Sequence, residues 1–225
     1  MREIASAERA GHLVFVGIMS HLAFADEPLH PTIGMQLERF TQALATVRSA
    51  GFEPQIVNLS NSAAALNLPD THFNLIRPGL AVYGIGHELD LTPVMTLKAP
   101  VALIKEVEAG EGVSYSHTYQ TKSATRLALI PVGYADGIPR HASNRGPVLI
   151  GGQVRPVAGR VCMDQFVVDI GSLDVAAGDE VVLFGDPKRG EPSIEDWARA
   201  ADTISYEIMT RLGPRVARQY INTPW

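Results

Sequence analysis

The apolar residues Ile33, Leu37, Phe40, Leu44 and Val47 are spaced four, three, four and three apart, which puts them on one stripe of an α-helix. Pro31 suits the first turn of that helix and Gly51 its end. A helix with a single apolar stripe must cover something, and short apolar runs on either side supply it. Leu13-Val14-Phe15-Val16-Gly17-Ile18-Met19 is continuously apolar, the pattern of a strand buried on both faces. Gln55 to Leu59, Phe73 to Ile76 and Leu80 to Tyr83 read as further strands. Arg2 to Ala10 reads as a helix stopped by Gly11, and Asn61-Ser62 opens a short Ala-rich helix, Ala63 to Leu66. Helices and strands alternating across short connections predict a parallel α/β unit with right-handed crossovers. A complete eight-stranded barrel takes ~250 residues. Within residues 1–90 a barrel therefore requires a missing piece, whereas an open sheet does not.

From Pro93 onward the pattern changes. Val94 to Ile104, Arg126 to Ile130, Val148 to Ile150, Gln165 to Ile170 and Glu180 to Phe184 read as strands, with hairpin-type turns at Gly151-Gly152 and Ala177-Gly178-Asp179. Ser193 caps a short helix through Ala200, and Thr203 to Leu212 forms another, ended by Gly213-Pro214. Residues 91–225 are thus expected to be an all-β domain with short terminal helices, following an α/β domain over residues 1–90.

Bulk properties exclude several classes. A net charge of -5 gives no electrostatic footprint for nucleic acid. The single cysteine, Cys162, cannot form an internal disulfide, so a reducing compartment is expected; it reads as a small buried hydrophobe. No apolar run approaches the ~20 residues of a membrane span. The N-terminus lacks the apolar centre of a signal peptide. A cytoplasmic protein without membrane or metal chemistry is the expectation.

Three polar, Gly-bounded segments interrupt the strand-like runs: Gly112 to Tyr119, Pro131 to Gly137 and Gly159 to Gln165. Sites are usually built in such places. Tyr115 is a candidate catalytic base, although a phenol serves as one only beside a cation or a hydrogen-bonded chain. His21, Asn61, Ser62 and Arg77 all fall just past the C-terminal ends of predicted parallel strands, the rim where such sheets bind ligands. Free backbone N–H groups near Ser62 and Gly79 would suit a phosphate. The residues themselves point to a phosphorylated ligand at the strand ends.

The segments Gly17 to Ala23 with Ala25-Asp26-Glu27, Leu59 to Ala64, Ile76 to Gly84, Val113-Ser114-Tyr115, Gly133 to Gly137 and Val161 to Gln165, in this order, resemble the alanine racemases. These are pyridoxal-phosphate enzymes with a TIM-type barrel followed by a β-domain. The resemblance covers essentially the whole chain. It implies a partial TIM barrel over residues 1–90 and interconversion of L-alanine and D-alanine, supplying D-alanine for peptidoglycan. It implies that Tyr115 removes the α-proton of L-alanine, that Arg77 hydrogen-bonds the pyridine nitrogen, and that His21 links Arg77 to Tyr115. Asn61, Ser62 and the backbone at Gly79 and Leu80 would hold the cofactor phosphate. The Met163 N–H would bind the substrate carboxylate, and Tyr134 would line the entrance. A homodimer with Tyr115 acting across its interface is implied.

The family's cofactor-bearing lysine has no counterpart here. Lys98, Lys105, Lys122 and Lys188 all lie in the expected β-domain and outside the family's lysine motif. Pro214 stands where the family has a phosphate-binding tyrosine. The chain is therefore expected to be the C-terminal part of a racemase, inactive by itself and in need of an N-terminal piece. A broad-specificity racemase, half of a split enzyme and a non-catalytic remnant are the other readings. Arg77 argues against the related decarboxylases, which place an acidic residue at the pyridine nitrogen.

Overall fold

The structure, a computed structural model, describes residues 1–86 and 91–221. Two compact units divide at Met1–Leu91 and Thr92–Trp225. The boundary expected after residue 90 falls beside the stretch outside the described residues.

In the first unit, α1 (Arg2–Arg9), β1 (Gly17–Met19), α2 (Pro31–Ser49), β2 (Ile56–Asn58) and α3 (Ser62–Asn67) follow one another. β1 and β2 are parallel, with Gly17 opposite Ile56 and Met19 opposite Asn58. A single parallel bridge, Asn58 to Leu75, extends the pairing. Pro31 opens α2, and the His30 ring accepts a hydrogen bond from the Thr32 N–H at 3.2 Å. The apolar stripe of α2 does what its spacing predicts. Phe40 and Leu44 pack with Leu22, Ala25, Val57, Leu59 and Ala64. Each large side chain buried this way contributes ~1.5–3 kcal/mol.

Three expectations for this unit need correction. Only Gly17–Met19 of the run from Leu13 forms a strand, and Leu13, Val14, Val16 and Met19 are exposed. Leu13, Val14 and Val16 precede β1, and β1 pairs only with β2 among the described residues, so little of the run has a neighbour to hold or cover it. Phe73 to Ile76 forms no strand. The Asn74 side chain replaces the ladder, accepting from the Val57 N–H and donating to the Gln55 carbonyl, each at 2.8 Å. Leu80–Tyr83 is a 3-10 helix, because the Gly79 and Ala81 N–H groups turn toward the Ser62 hydroxyl.

The second unit is built on strands β3 (Leu97–Pro100), β4 (Leu103–Val107), β5 (Gly112–Val113), β6 (Tyr119–Gln120), β7 (Thr125–Ile130), β8 (Pro147–Ile150), β9 (Gln153–Pro156), β10 (Phe166–Asp169) and β11 (Glu180–Phe184). They form an antiparallel sheet in the order β10-β7-β4, a second in the order β3-β11-β8-β9, and the small pair β5-β6. Alternate residues point into a core that includes Ile130, Val148, Ile150, Phe166, Val168 and Leu183. The strand-rich run from Val94 to Ile104 holds β3 and the start of β4. The chain leaves one sheet for the other there, with the Val101 N–H on the Asp179 carbonyl and the Ala102 N–H on the Leu129 carbonyl. Gly151-Gly152 does join β8 to β9 as a hairpin. Ala177-Gly178-Asp179 is a turn but not a hairpin, since β10 and β11 belong to different sheets.

α4 (Ile194–Ala200) begins in a reciprocal capping box between Ser193 and Asp196. The Trp197 indole N–H donates to the Leu183 carbonyl at 2.6 Å, fixing α4 on β11. α5 (Ser205–Thr210) is shorter than the span expected from Thr203 to Leu212. Among the described residues, no helix is long and apolar enough to cross a membrane.

Candidate active site

In the first unit the polar residues gather past the C-terminal ends of the parallel strands, as their sequence positions predict. Ser20 and His21 follow β1, Ser60 to Ser62 follow β2, and Arg77 follows the Leu75 bridge. The Arg77 N–H donates to the Ser60 carbonyl at 3.0 Å, which anchors its backbone to this rim. Its Nη2 donates to the Ser20 carbonyl at 3.2 Å and lies 3.1 Å from His21 Nδ1. Its Nη1 is buried and has no hydrogen-bond partner among the described residues. A buried guanidinium N–H without an acceptor is costly, and such a group usually marks a place where a ligand atom belongs.

Ser62 forms a second focus. Its Oγ accepts from the Gly79 N–H at 2.7 Å and the Ala81 N–H at 3.3 Å. Two backbone donors thus end on one hydroxyl, which keeps its own proton to give to a ligand oxygen. Of the backbone groups expected at the phosphate, Gly79 also contacts Ser62, as does the neighbouring Ala81. The Asn61 side chain caps α3, accepting from the Ala64 N–H at 3.1 Å. Behind these groups the buried Ser60 and Thr71 hydroxyls bond to each other at 2.7 Å.

In the second unit the three polar segments come together. Tyr115 is 66% exposed, so its hydroxyl is not lost in packing. It stands between Ser114 (φ 60°) and Ser116 (φ 61°), with His117 (φ 43°) following, all in conformations uncommon for residues with a Cβ. Such strain persists only where surrounding structure enforces it, and it concentrates at functional sites. Here the Ser114 hydroxyl donates to the Arg160 carbonyl at 2.7 Å and lies 3.3 Å from the Cys162 sulfur. Gly159 has φ +83°, and a Cβ on it would stand 2.6 Å from the Val113 carbonyl oxygen.

The Tyr134 loop is sewn to the Met163 loop in the same way. The Tyr134 N–H donates to the Cys162 carbonyl at 3.0 Å and the Ala135 N–H to the Met163 carbonyl at 2.9 Å. A Cβ at Gly133 would lie 2.4 Å from both carbonyl oxygens, so only glycine permits this approach. Tyr134 and Met163 are 43% and 54% exposed. The Met163 N–H has no acceptor among the described residues. Cys162, expected to be buried, is half-buried and in polar company, because the Ser114 and Arg160 backbone turn is folded against it.

Sequence reasoning overlooked the groups that hold these loops. The buried Asp136 accepts from the Gly133 N–H at 2.8 Å and pairs with Arg215 Nε at 3.1 Å. Arg215 Nη2 reaches Asp164 at 2.7 Å. The hydrogen bond to Asp164 and the charge of Asp136 favour the guanidinium cation still further. The Asp136-Gly137 dipeptide is a turn signal that could have drawn attention to Asp136. Nothing local in the sequence marks Arg215.

Residues 1–87 match the description of the alanine racemase N-terminal domain, and residues 94–220 match that of the alanine racemase C-terminal domain. An alanine racemase of Streptomyces coelicolor is 53% identical over 224 residues, which are 96% of this chain and 57% of that protein. The crystal structure of alanine racemase from D-cycloserine-producing Streptomyces lavendulae is 53% identical with a TM-score of 0.93, over 98% of this chain and 60% of that one. Alanine racemase from Bartonella henselae, solved with covalently bound pyridoxal phosphate, is 33% identical with a TM-score of 0.83, over 98% and 62% of the two chains. This chain therefore spans less than two thirds of the length of each of these relatives.

Proposed function

The chain belongs to the alanine racemase family, and from that premise we propose that it supplies part of a pyridoxal-phosphate site that interconverts L-alanine and D-alanine. The observation that carries this reading is the Arg77 guanidinium, held by Ser20 and His21 with its Nη1 buried and unpartnered among the described residues. The residues fit the cofactor. Arg77 Nη1 would donate to the pyridine nitrogen, and Ser62 with the backbone at Gly79, Leu80 and Ala81 would hold the phosphate, with Asn61 fixing the turn that presents them. Bound pyridoxal phosphate supplies the electron sink that lets the α-carbon of alanine release its proton.

The chain's own residues do the rest. A guanidinium holds its protons, so Arg77 would donate a hydrogen bond to the ring nitrogen without protonating it. His21 holds Arg77 in that orientation and continues the hydrogen-bonded chain toward the base. Tyr115 takes the α-proton of L-alanine and returns a proton in the reverse direction. A positioned general base of this kind contributes ~10²–10⁴-fold in rate. The Met163 N–H binds the substrate carboxylate, and Tyr134 lines the entrance. The first unit is the C-terminal part of a (β/α) barrel. In the assembled enzyme a homodimer brings Tyr115 of one subunit to the other subunit's cofactor.

All four lysines, Lys98, Lys105, Lys122 and Lys188, fall in the second unit, and residues 1–91 contain none. The amine that would attach the cofactor accordingly lies outside residues 1–225, and these residues by themselves are not expected to racemise alanine. The test mixes the chain with the lysine-bearing N-terminal segment of the Streptomyces coelicolor relative, pyridoxal phosphate and L-alanine, and measures D-alanine. The expected result is turnover only with both pieces. Turnover by this chain alone, or none from a well-folded complex, would overturn the proposal.

A further inference from the structure

We propose that Arg215 is a positioning residue whose guanidinium, by bridging Asp136 and Asp164, sets the register between the loop that presents Tyr134 and the loop that presents Met163. The link to substrate binding rests on the racemase reading; the bridge itself rests on geometry alone.

Asp136 is the fixed end. It is only 4% exposed, and a buried carboxylate must be paired and hydrogen-bonded to stay charged. Oδ2 accepts the Gly133 N–H, closing the turn that carries Tyr134, and Oδ1 takes Arg215 Nε. Asp164, the residue after Met163, is the other end and takes Arg215 Nη2. One planar guanidinium thus spans two carboxylates from two loops, which the single nitrogen of a lysine cannot do with the same geometry.

The segment that carries Arg215 is itself held against the first loop. The Gly213 N–H donates to the Asp136 carbonyl at 3.1 Å. A Cβ at Gly137 would stand 2.3 Å from the Arg211 carbonyl oxygen, so the two backbones lie in close contact. Arg218 adds a hydrogen bond to the Leu212 carbonyl at 3.2 Å, folding the segment back on itself. Between the loops, the hydrogen bonds of the Tyr134 and Ala135 N–H groups to Cys162 and Met163 carry the register that Arg215 protects. The Met163 N–H can face a carboxylate only while that register holds.

The experiment measures amide hydrogen exchange, residue by residue, in the full chain and in three variants. In Arg215→Gln the Tyr134 and Ala135 amides should exchange at least about tenfold faster, while the β11 amides stay within about twofold. Asp164→Asn, which leaves no buried charge unpaired, should move the same amides in the same direction by less. Arg215→Lys should restore part of the protection by keeping a cation on Asp136. Unchanged exchange at Tyr134 and Ala135 would overturn the bridge. A loss spread equally over β11 would reduce Arg215 to a general stabiliser and overturn positioning. In the reassembled racemase, Arg215→Gln should raise the KM for alanine about tenfold with kcat within about threefold. An unchanged KM would overturn the substrate-binding half. Absence of turnover with the unmodified chain would count against the racemase reading, while exchange would still decide the bridge.

Discussion

Tyr119 closes the turn that holds out Tyr115. Its hydroxyl donates to Asp169 Oδ2 at 2.7 Å, and Asp169 Oδ1 accepts from the Thr125 hydroxyl at 2.6 Å and the Gly171 N–H at 3.0 Å. Burial first, then that hydrogen bond and the charge of Asp169, push the Tyr119 phenol from 10.0 up to about 12, with Arg155 opposing them. The neutral phenol is therefore favoured in the fold. Its contribution to stability is complete below about pH 10, the unfolded value, and is lost as pH climbs through about 12. Ultraviolet difference titration should show one phenol ionising near 12 that disappears in Tyr119→Phe, and unfolding free energy should fall less steeply with pH over that window in the variant. A variant titrating like the parent would show that Asp169 does not hold this phenol. At the same scale, Tyr115 and Arg77 stood out as candidates from the segments they occupy and from the family resemblance. Arg215 was not, because an ion pair joining residues 136, 164 and 215 leaves no trace in spacing or periodicity.

At the scale of elements, the α2 stripe, the β8-β9 hairpin and the α4 cap were legible because each is fixed by neighbours in sequence. Phe73 to Ile76 and Leu80 to Tyr83 were misread because side chains from elsewhere, Asn74 on β2 and Ser62 on Gly79, took over the backbone's hydrogen bonding. The α4 cap has a testable consequence. Burial pushes the Asp196 carboxyl up, but the Ser193 N–H and hydroxyl and the Arg199 guanidinium outweigh it and hold the carboxyl below its usual range. Ser193→Ala removes the cap and should cost about 1 kcal/mol in urea unfolding at neutral pH. Because the Asp196 shift is downward, its contribution is present above the unfolded carboxylate value and is lost as pH falls through the folded one. The difference between parent and variant should therefore narrow in acid. A gap that stayed constant down to acid unfolding would show that the cap acts without Asp196.

For the whole molecule, the change from alternating helices and strands to antiparallel sheets was legible near residue 90, since helical and strand periodicities differ. The exposed Leu13, Val14, Val16 and Met19 were not, because an apolar run shows that a strand can be covered on both faces, not that a neighbour is there. On the proposed reading, the cover for those residues and the missing amine are supplied together by the segment that completes the barrel. The account then assigns the two faces of the substrate to two bases, Tyr115 from this chain and a lysine from the completing segment. The most direct test follows α-proton loss from L-alanine and from D-alanine in D₂O, by NMR, for the reassembled enzyme with and without Tyr115→Phe. The account predicts that the variant loses exchange from L-alanine by about 10² or more while exchange from D-alanine persists. Undiminished exchange from L-alanine would contradict it.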